Sequence, residues 1–115
     1  MNFEERPWGN YTVLYTDETS QVKKLVVNPG KRISLQSHKF RAEHWYILSG
    51  TGLITLNSEV KEVGPGDSVT IPIGAKHRVA AGDQVPLIFV EIQTGSSFDE
   101  EDIVRYDDDY GRAIS

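Results

Sequence analysis

The sequence predicts an all-β domain, a sandwich or barrel of short strands. Its β-rich runs are YTVLY (11–15), VKKLVV (22–27), HWYIL (44–48), GLITL (52–56), SVTI (68–71), HRVAA (77–81) and PLIFVEI (86–92). Clusters of Gly, Pro, Asn, Asp and Ser separate these runs and supply turn chemistry at short intervals. No segment with a helical period of useful length lies between them. Strands joined in this way make a sandwich or a barrel.

The chain has 115 residues, which fits one domain with a core over about residues 11–95 and an extension on either side. The acidic run at 99–102 precedes Ile103-Val104-Arg105. Acidic side chains favour the first turn of a helix, so we expect a short helix to begin there.

Composition excludes several classes of function. The absence of cysteine means that any bound metal must be held by oxygen and nitrogen. The net charge of −5 comes mainly from residues 99–109, and no basic stripe suggests binding to nucleic acid. No run approaches the roughly 18 apolar residues of a membrane span, and no signal sequence is evident at the N-terminus. We therefore expect a cytoplasmic protein with no nucleic-acid or membrane partner.

Two spaced motifs indicate a metal site. Five residues separate Gly30 from Gln36, one separates Gln36 from His38, and four separate His38 from Glu43; in the second motif His77 follows Gly66-Asp67 and Pro72-Ile73-Gly74. Together these motifs resemble those of the cupin superfamily. The resemblance implies a single cupin barrel, a double-stranded β-helix or jelly roll. It also implies one divalent metal ion on the positions that match the motif, which are Gln36, His38, Glu43 and His77.

The chemistry of these residues agrees with a metal site. Gln36 and His38 are two apart on a predicted strand and so project to one face. A carbonyl oxygen, two imidazoles and a carboxylate favour zinc, with iron, manganese, cobalt or nickel also possible. Each residue alone would more often be a surface or hydrogen-bonded polar group, so the interpretation depends on the spaced set. His44 adjoins Glu43 but should face away from it by strand alternation.

A closer resemblance covers nearly the whole chain. It is carried by Arg6-Pro7-Trp8-Gly9, Ser34-Leu35-Gln36-Ser37-His38, Arg41-Ala42-Glu43-His44-Trp45, Pro72 to Arg78, Asp102 to Arg105 and Asp109 to Arg112. These segments resemble the type II phosphomannose isomerase domain, whose own first motif is similar to Gln-x-His. That domain is usually the C-terminal part of a bifunctional protein with a mannose-1-phosphate guanylyltransferase. Ser97-Phe98-Asp99 departs from the family pattern.

The resemblance implies interconversion of mannose 6-phosphate and fructose 6-phosphate through an enediolate. This chemistry needs carbonyl polarisation, which a metal supplies, and a base free of the metal. Glu91, an acid within an apolar run, is our candidate base, and Lys39 is the reserve. Because PLIFVEI is apolar on both parities, the direction of Glu91 stays open, and a structural pairing with a buried arginine is the alternative.

The phosphate of the substrate requires a cationic anchor, for which the planar guanidinium of arginine is well suited. Arg41, Arg78, Arg105 and Arg112 all lie inside the family-like segments. A surface ion pair is the alternative for each of them, above all for the one in the acidic segment. Both tryptophans are expected in the core.

Two other functions compete with the isomerase. One is a non-catalytic module that binds a sugar or a sugar nucleotide, and the other is a metal-dependent oxygenase, because a cupin fold alone does not settle function. For partners we expect a small sugar phosphate and a second copy of the chain. A homodimer would cover Ile88, Val90 and Ile92, which face outward if Glu91 faces inward.

Overall fold

The computed structural model describes residues 2–99 and 101–111. Within these residues eleven strands alternate with turns and loops: β1 (Asn2–Arg6), β2 (Gly9–Thr16), β3 (Ser20–Val27), β4 (Leu35–Ser37), β5 (Arg41–Ser49), β6 (Gly52–Leu56), β7 (Glu59–Val63), β8 (Ser68–Ile71), β9 (His77–Ala81), β10 (Leu87–Gly95) and β11 (Val104–Asp107). The same residues contain no helix that is long and apolar enough to cross a membrane.

The strands form two sheets in which every paired neighbour is antiparallel. The first sheet has the order β1-β2-β3-β10-β5-β8, and the second has the order β11-β4-β9-β6-β7. Neighbours such as β3 and β10 are far apart in sequence, so the chain crosses repeatedly between the sheets. This topology brings segments from both halves of the chain to one interior.

The core lies between the two sheets. Val27, Ile47 and Phe89 from the first sheet and Ile54 and Val79 from the second are almost fully buried. Strand alternation explains this burial, since every second residue of a strand projects to the same face. Beside this core, the inner face of the first sheet continues into a polar region, where the candidate site lies.

All seven predicted strands are present, so the all-β prediction is confirmed. In addition, the strand expected at Gln36 and His38 is the short β4, which ends at Ser37, so that His38 directly follows it. Three further strands were not predicted: β1 and β11 in the terminal extensions, and β7. β7 is exposed except at its last residue, and its sequence EVKEV lacks an apolar alternation. Because β1 pairs with β2 and β11 pairs with β4, both terminal extensions join the sheets.

The helix predicted from the acidic run is wrong. The carboxylate of Asp99 accepts the backbone N–H of Glu101, and the backbone carbonyl of Asp99 accepts the N–H of Asp102 at 3.0 Å. These contacts close a tight turn. β11 then follows, with Val104 opposite Ser37 and Arg105 opposite Gln36 on β4. The acidic residues thus form a turn that leads into a paired strand, and they do not begin a helix.

Gly50 allows the sharp connection between β5 and β6. Its φ is +81°, and a Cβ at this position would lie 2.2 Å from the carbonyl oxygen of Pro86. Any other residue would combine a left-handed backbone with a clash against the main chain. The end of β5 can thus pack closely against the main chain before β10, and in the register of these two strands Glu43 lies opposite Gln93.

Candidate metal centre and pocket

Three of the four predicted metal ligands meet in the interior. Glu43 projects inward from β5, His77 begins β9, and His38 directly follows β4. One ligand atom from each side chain lies within 4.8 Å of those of the other two, and all three residues are buried. Histidine nitrogen and carboxylate oxygen at such distances are suited to a divalent cation.

The fourth predicted ligand, Gln36, lies beside this cluster. It is opposite His77 in the register of β4 and β9, and its side chain lines the same pocket as His38 and Glu43. Its Oε1 accepts a long hydrogen bond of 3.4 Å from Ser34 Oγ. The amide oxygen is thus held on the side of the strand from which a ligand would be supplied.

His77 has the donor chemistry that a metal ligand needs. Its Nδ1 donates to the backbone carbonyl of Ala75 at 3.0 Å, so the proton of a neutral ring resides there and Nε2 carries the lone pair. This Nε2 is buried and has no hydrogen-bond partner among the described residues, and it lies 3.7 Å from Glu43 Oε1. A buried acceptor without a donor is costly, and a cation between these two atoms would remove the cost.

Burial keeps the two imidazoles neutral, which is the charge state that metal binding requires. Burial lowers the pKa of His77, and it is also the largest cause that lowers the pKa of His38 to about 4. Both rings are therefore neutral at pH 7. His38 Nδ1 lies 3.6 Å from Glu43 Oε2, and the two ring centroids are 5.1 Å apart.

Glu43 is the anionic centre of the cluster. Trp45 Nε1 donates to its Oε1 at 3.0 Å, while Gln93 Nε2 and Arg41 Nε each donate to Oε2 at 3.2 Å. Burial by itself raises the pKa of this carboxyl, but the attraction of His77, His38 and Arg41 outweighs it and lowers the pKa to about 2. The residue is thus a fixed carboxylate whose orientation is set by three donors.

The open direction of Glu91 is resolved, because its side chain faces inward and is buried. Its register partners are Lys23 on β3 and Trp45 on β5, so the partner across the sheet is a lysine and not an arginine. Gln93 Nε2 donates in a short hydrogen bond to Glu91 Oε1 as well as to Glu43. Burial and then the charge of Glu43 raise the pKa of Glu91 well above its usual value.

Sequence reasoning missed Lys23 and Gln93. Lys23 is only 4% exposed, lines the same pocket, and holds its Nζ 4.2 Å from the centroid of the Tyr11 ring. Lysine is almost never buried without a partner of complementary charge, and Glu91 lies opposite in register. The spacing along each strand held the signal. Lys23 lies two positions before the buried Leu25, and Gln93 lies two positions after Glu91, so the members of each pair project to the same face.

The pocket above the cluster has a free volume of about 60 Å³ and is strongly cationic. Its polar lining consists of Arg6, Tyr11, Lys23, Ser34, Gln36, His38, Arg41, Glu43, Glu91, Gln93 and Arg105. Four basic side chains therefore face two carboxylates, which leaves a net charge of +2 even when both are ionised. A small anion carrying hydroxyl groups suits these surroundings.

The predicted phosphate anchors differ in their placement. Arg41 lies over the metal cluster, where its Nη2 donates to His38 Nε2 at 2.9 Å, and Arg105 also lines the pocket. Arg78 does not line it: the guanidinium donates to the carbonyl oxygen of Ile33 and to Asp107, a structural role. Arg112 lies outside the described residues. Arg6, which we had not assigned to the anchor, lines the pocket from the end of β1.

Two further predictions concern residues near the ligands. Lys39, the reserve base, is exposed and does not line the pocket, so its geometry gives no support to that role. His44 is also exposed and faces away from Glu43, as strand alternation predicted, with its Nδ1 2.9 Å from Thr70 Oγ1. Trp8 and Trp45 are both buried, which confirms their expected place in the core.

Two antiparallel sheets that enclose a buried histidine and glutamate cluster define a cupin. In agreement, the chain superposes on the cupin domain of Cnp3 from Schizosaccharomyces pombe with a TM-score of 0.76 at 12% identity, covering 83% of this chain and 69% of that one. At this identity the likeness shows the fold alone. Residues 3–108 match the family described as mannose-6-phosphate isomerase C-terminal, and the chain belongs to that family.

Relatives of the chain include several mannose-1-phosphate guanylyltransferases. The mannose-1-phosphate guanylyltransferase ManC of Salmonella typhimurium is 44% identical over 107 residues, which are 93% of this chain and 22% of that protein. The chain thus spans about a fifth of the length of such relatives. A structure from Acidithiobacillus ferrooxidans, whose proposed activity is that of a sugar phosphate isomerase, matches at 26% identity with a TM-score of 0.61, covering 66% of this chain and 50% of that one.

Proposed function

We propose that the chain is a metal-dependent sugar-phosphate isomerase that interconverts mannose 6-phosphate and fructose 6-phosphate. The observation that carries the proposal is the juxtaposition of two kinds of group in one cationic pocket. His38, Glu43 and His77 form a ligand cluster, and the buried carboxyl of Glu91 lies beside it, joined to Glu43 through Gln93. A metal site with an adjacent acid is what carbonyl polarisation and proton transfer require.

The metal would be held by Gln36, His38, Glu43 and His77, and the mixed oxygen and nitrogen donors favour zinc over magnesium or calcium. When bound, a divalent cation polarises the sugar carbonyl and stabilises the negative charge that develops on its oxygen. The protein positions the ligands for this purpose: Trp45 and Gln93 orient Glu43, and the carbonyl of Ala75 fixes the tautomer of His77.

Glu91 is the proposed base of the reaction. In the aldose-to-ketose direction its carboxylate takes the proton from C2 of the sugar, the proton of the C2 hydroxyl passes to the oxygen on C1, and the carboxylic acid returns its proton to C1 as the C2 carbonyl forms. Burial raises the pKa of Glu91, which brings it closer to the range that a general base needs. Gln93 holds the carboxyl on the pocket side of β10.

The cations of the pocket would bind the remainder of the substrate. Arg6, Arg41 and Arg105 are suited to the phosphate, because guanidinium groups match its oxygens in pairs. Lys23 lies opposite Glu91 and is suited to a sugar hydroxyl near the reacting carbons. The phosphate would thus lie among these guanidinium groups, and the carbonyl end of the sugar at the metal.

A second candidate function is a non-catalytic module that binds a sugar phosphate or a sugar nucleotide. The names of the relatives favour it, since ManC is described by guanylyltransferase activity and the chain matches 22% of its length. The isomerase remains the stronger proposal, because a binding module does not need a buried acid beside a metal cluster. A metal-dependent oxygenase is less favoured than either, because the cationic pocket suits an anionic sugar.

We also propose that two copies of the chain associate. Glu91 faces inward, so Ile88, Val90 and Ile92 project from the outer face of the same strand, and Ile92 is 40% exposed. Tyr46 on the neighbouring β5 is 47% exposed and adds to this surface. A second subunit would cover these groups. The predicted cytoplasmic location is consistent with a sugar phosphate as substrate and stays a prediction.

Turnover of the purified chain tests the function. Fructose 6-phosphate formation from mannose 6-phosphate is measured with zinc, after chelation, and after metal is restored. The variant His38→Ala should lose activity, whereas His44→Ala, which removes an exposed neighbouring histidine, should keep it. Binding of mannose 6-phosphate without turnover in any metal-loaded sample would favour the binding module. Consumption of oxygen by the iron-loaded protein would favour the oxygenase.

A further inference from the structure

The loop that carries His38 is held by a residue far away in the sequence. We define the His38 loop as residues 38–40, which join β4 to β5. The carboxylate of Asp102 accepts the backbone N–H of Lys39 at 2.9 Å through Oδ1 and that of Phe40 at 3.0 Å through Oδ2. Each oxygen thus receives its own donor, and hydrogen bonds from N–H groups to a carboxylate are among the stronger ones in proteins.

Other contacts fix the loop from two further sides. Gly74 N donates to the carbonyl of His38 at 2.9 Å, and Ser96 N donates to the carbonyl of Phe40 at 2.9 Å. Gly95 approaches so closely that a Cβ there would lie 2.1 Å from the carbonyl oxygen of Phe40. Asp102 therefore completes a set of backbone contacts that leaves the loop little freedom.

The segment around Asp102 also supports the strand before the loop. β11 places Val104 opposite Ser37 and Arg105 opposite Gln36, and the hydroxyl groups of Ser37 and Tyr106 are 2.9 Å apart. Among the residues that the structure describes, the register of β4 and β9 consists of the single pair Gln36 and His77. The C-terminal segment consequently contacts the chain on both sides of His38.

We propose that Asp102 is a positioning residue for the metal centre, and that its carboxylate holds the His38 loop in the conformation that presents His38 to the metal. The inference rests on the metal site of the proposed function. It assigns a role to an acidic residue of the C-terminal segment, from which the proposed reaction uses Arg105. Groups that orient metal ligands without touching the metal typically change its affinity by roughly tenfold to a hundredfold when they are removed.

The test uses Asp102→Asn, which keeps the shape but places an NH₂ group against one of the two backbone donors. The matched control is Asp17→Asn. Asp17 Oδ1 likewise accepts two backbone N–H groups, from Thr19 at 2.9 Å and Ser20 at 2.8 Å, in the exposed turn between β2 and β3. Both variants lose the charge of a carboxylate that holds a turn, but Asp17 lies outside the pocket.

Zinc affinity is measured by competition with a chromophoric chelator, at a temperature at which circular dichroism shows all proteins folded without metal. Asp102→Asn should bind zinc at least tenfold more weakly than wild type, and Asp17→Asn should match wild type within twofold. The visible spectrum of bound cobalt should change in Asp102→Asn alone, because it reports the ligand set. If Asp102→Asn does not fold, Asp102→Glu, which displaces the carboxylate by one methylene, replaces it with the same expected direction.

Equal zinc affinity in wild type and Asp102→Asn would overturn the proposal while leaving the metal site intact. An equal loss in both variants would also overturn it, because the effect would then reflect general destabilisation. Failure of the wild-type chain to bind zinc, manganese or cobalt would instead remove the metal site itself, and with it both this inference and the proposed function.

Discussion

The inner face of the first sheet is apolar at one end and polar at the other, along the same three strands. At the apolar end Val27 pairs with Leu87, and Phe89 lies between Leu25 and Ile47. At the polar end Lys23 pairs with Glu91, Gln21 with Gln93, and Gln93 with Glu43. Strand alternation projects both sets of side chains inward, so the two ends differ in the chemistry of the side chains that face the interior.

The apolar end therefore contributes mainly to stability, and the polar end mainly to binding or catalysis. Buried apolar pairs gain from their removal from water, whereas buried charges lose hydration that their partners only partly restore. The polar end therefore costs folding free energy, which the apolar end offsets. A pocket of this kind is expected at a site of binding or catalysis, where charged groups are retained for their chemistry.

The largest effect is expected at the polar end, from Glu91→Gln. Gln93 can still contact the amide, so the fold and the metal should remain, but the proposed base is lost. We expect kcat for mannose 6-phosphate to fall by about 10² to 10⁴. Steady-state kinetics measures the loss, and metal analysis confirms that the site stays loaded. Undiminished kcat would exclude Glu91 as the base.

At the apolar end, Phe89→Ala should act on stability. Phe89 is fully buried, and its ring centroid lies 4.8 Å from that of Trp45. The substitution should reduce the free energy of unfolding by about 3–5 kcal/mol. Urea denaturation followed by tryptophan fluorescence measures the change. A loss below about 1 kcal/mol would show that this end does not carry the stability of the sandwich.

The double variant Lys23→Met/Glu91→Leu tests the cost of the polar end. It replaces two buried ionisable side chains that lie opposite each other in register with apolar side chains of similar size. Such a replacement of a buried ion pair is often neutral or stabilising by about 1–4 kcal/mol. We expect an unchanged or higher unfolding midpoint together with loss of turnover. A clear fall in the midpoint would mean that Lys23 and Glu91 stabilise the fold, so that the polar end would not cost folding free energy.

The smallest effect concerns pH. His38 has a pKa of about 4 in the folded protein and an ordinary value of 6.5 when exposed. Between these values the unfolded chain binds a proton that the folded chain does not, so stability falls as pH is lowered through this window. Metal-free wild type should therefore lose roughly 1–2 kcal/mol more than His38→Asn between pH 7 and pH 5. Urea titrations at both pH values measure the difference, and parallel losses in the two proteins would contradict it.

The sequence predicted the apolar end well and the polar end in part. Apolar runs and turns located seven strands, and motif spacing located His38, Glu43 and His77. β7 was not predicted because this exposed strand has no apolar alternation, and β1 was not predicted because four of its five residues are exposed. The helix expected at 99–102 failed because an acidic run is compatible with a turn as well as with a helix start.

The remaining site residues depend on contacts that no local pattern encodes. Lys23 and Glu91 are 68 positions apart in the sequence, and only the register of β3 and β10 pairs them. Asp102 acts on the His38 loop across more than 60 residues. Arg78 and Arg105 both lie in family-like segments. Arg78 nevertheless donates to the carbonyl of Ile33, a structural contact, whereas Arg105 lines the pocket. Such assignments require the tertiary structure.

Anomalous diffraction at the zinc edge, from crystals of the chain grown with zinc and fructose 6-phosphate, tests the central claim most directly. We predict one strong peak bounded by Gln36, His38, Glu43 and His77, with the sugar between this peak and Glu91. A loaded protein whose peak lies elsewhere, for example among the aspartates of 107–109, would contradict the metal-dependent site.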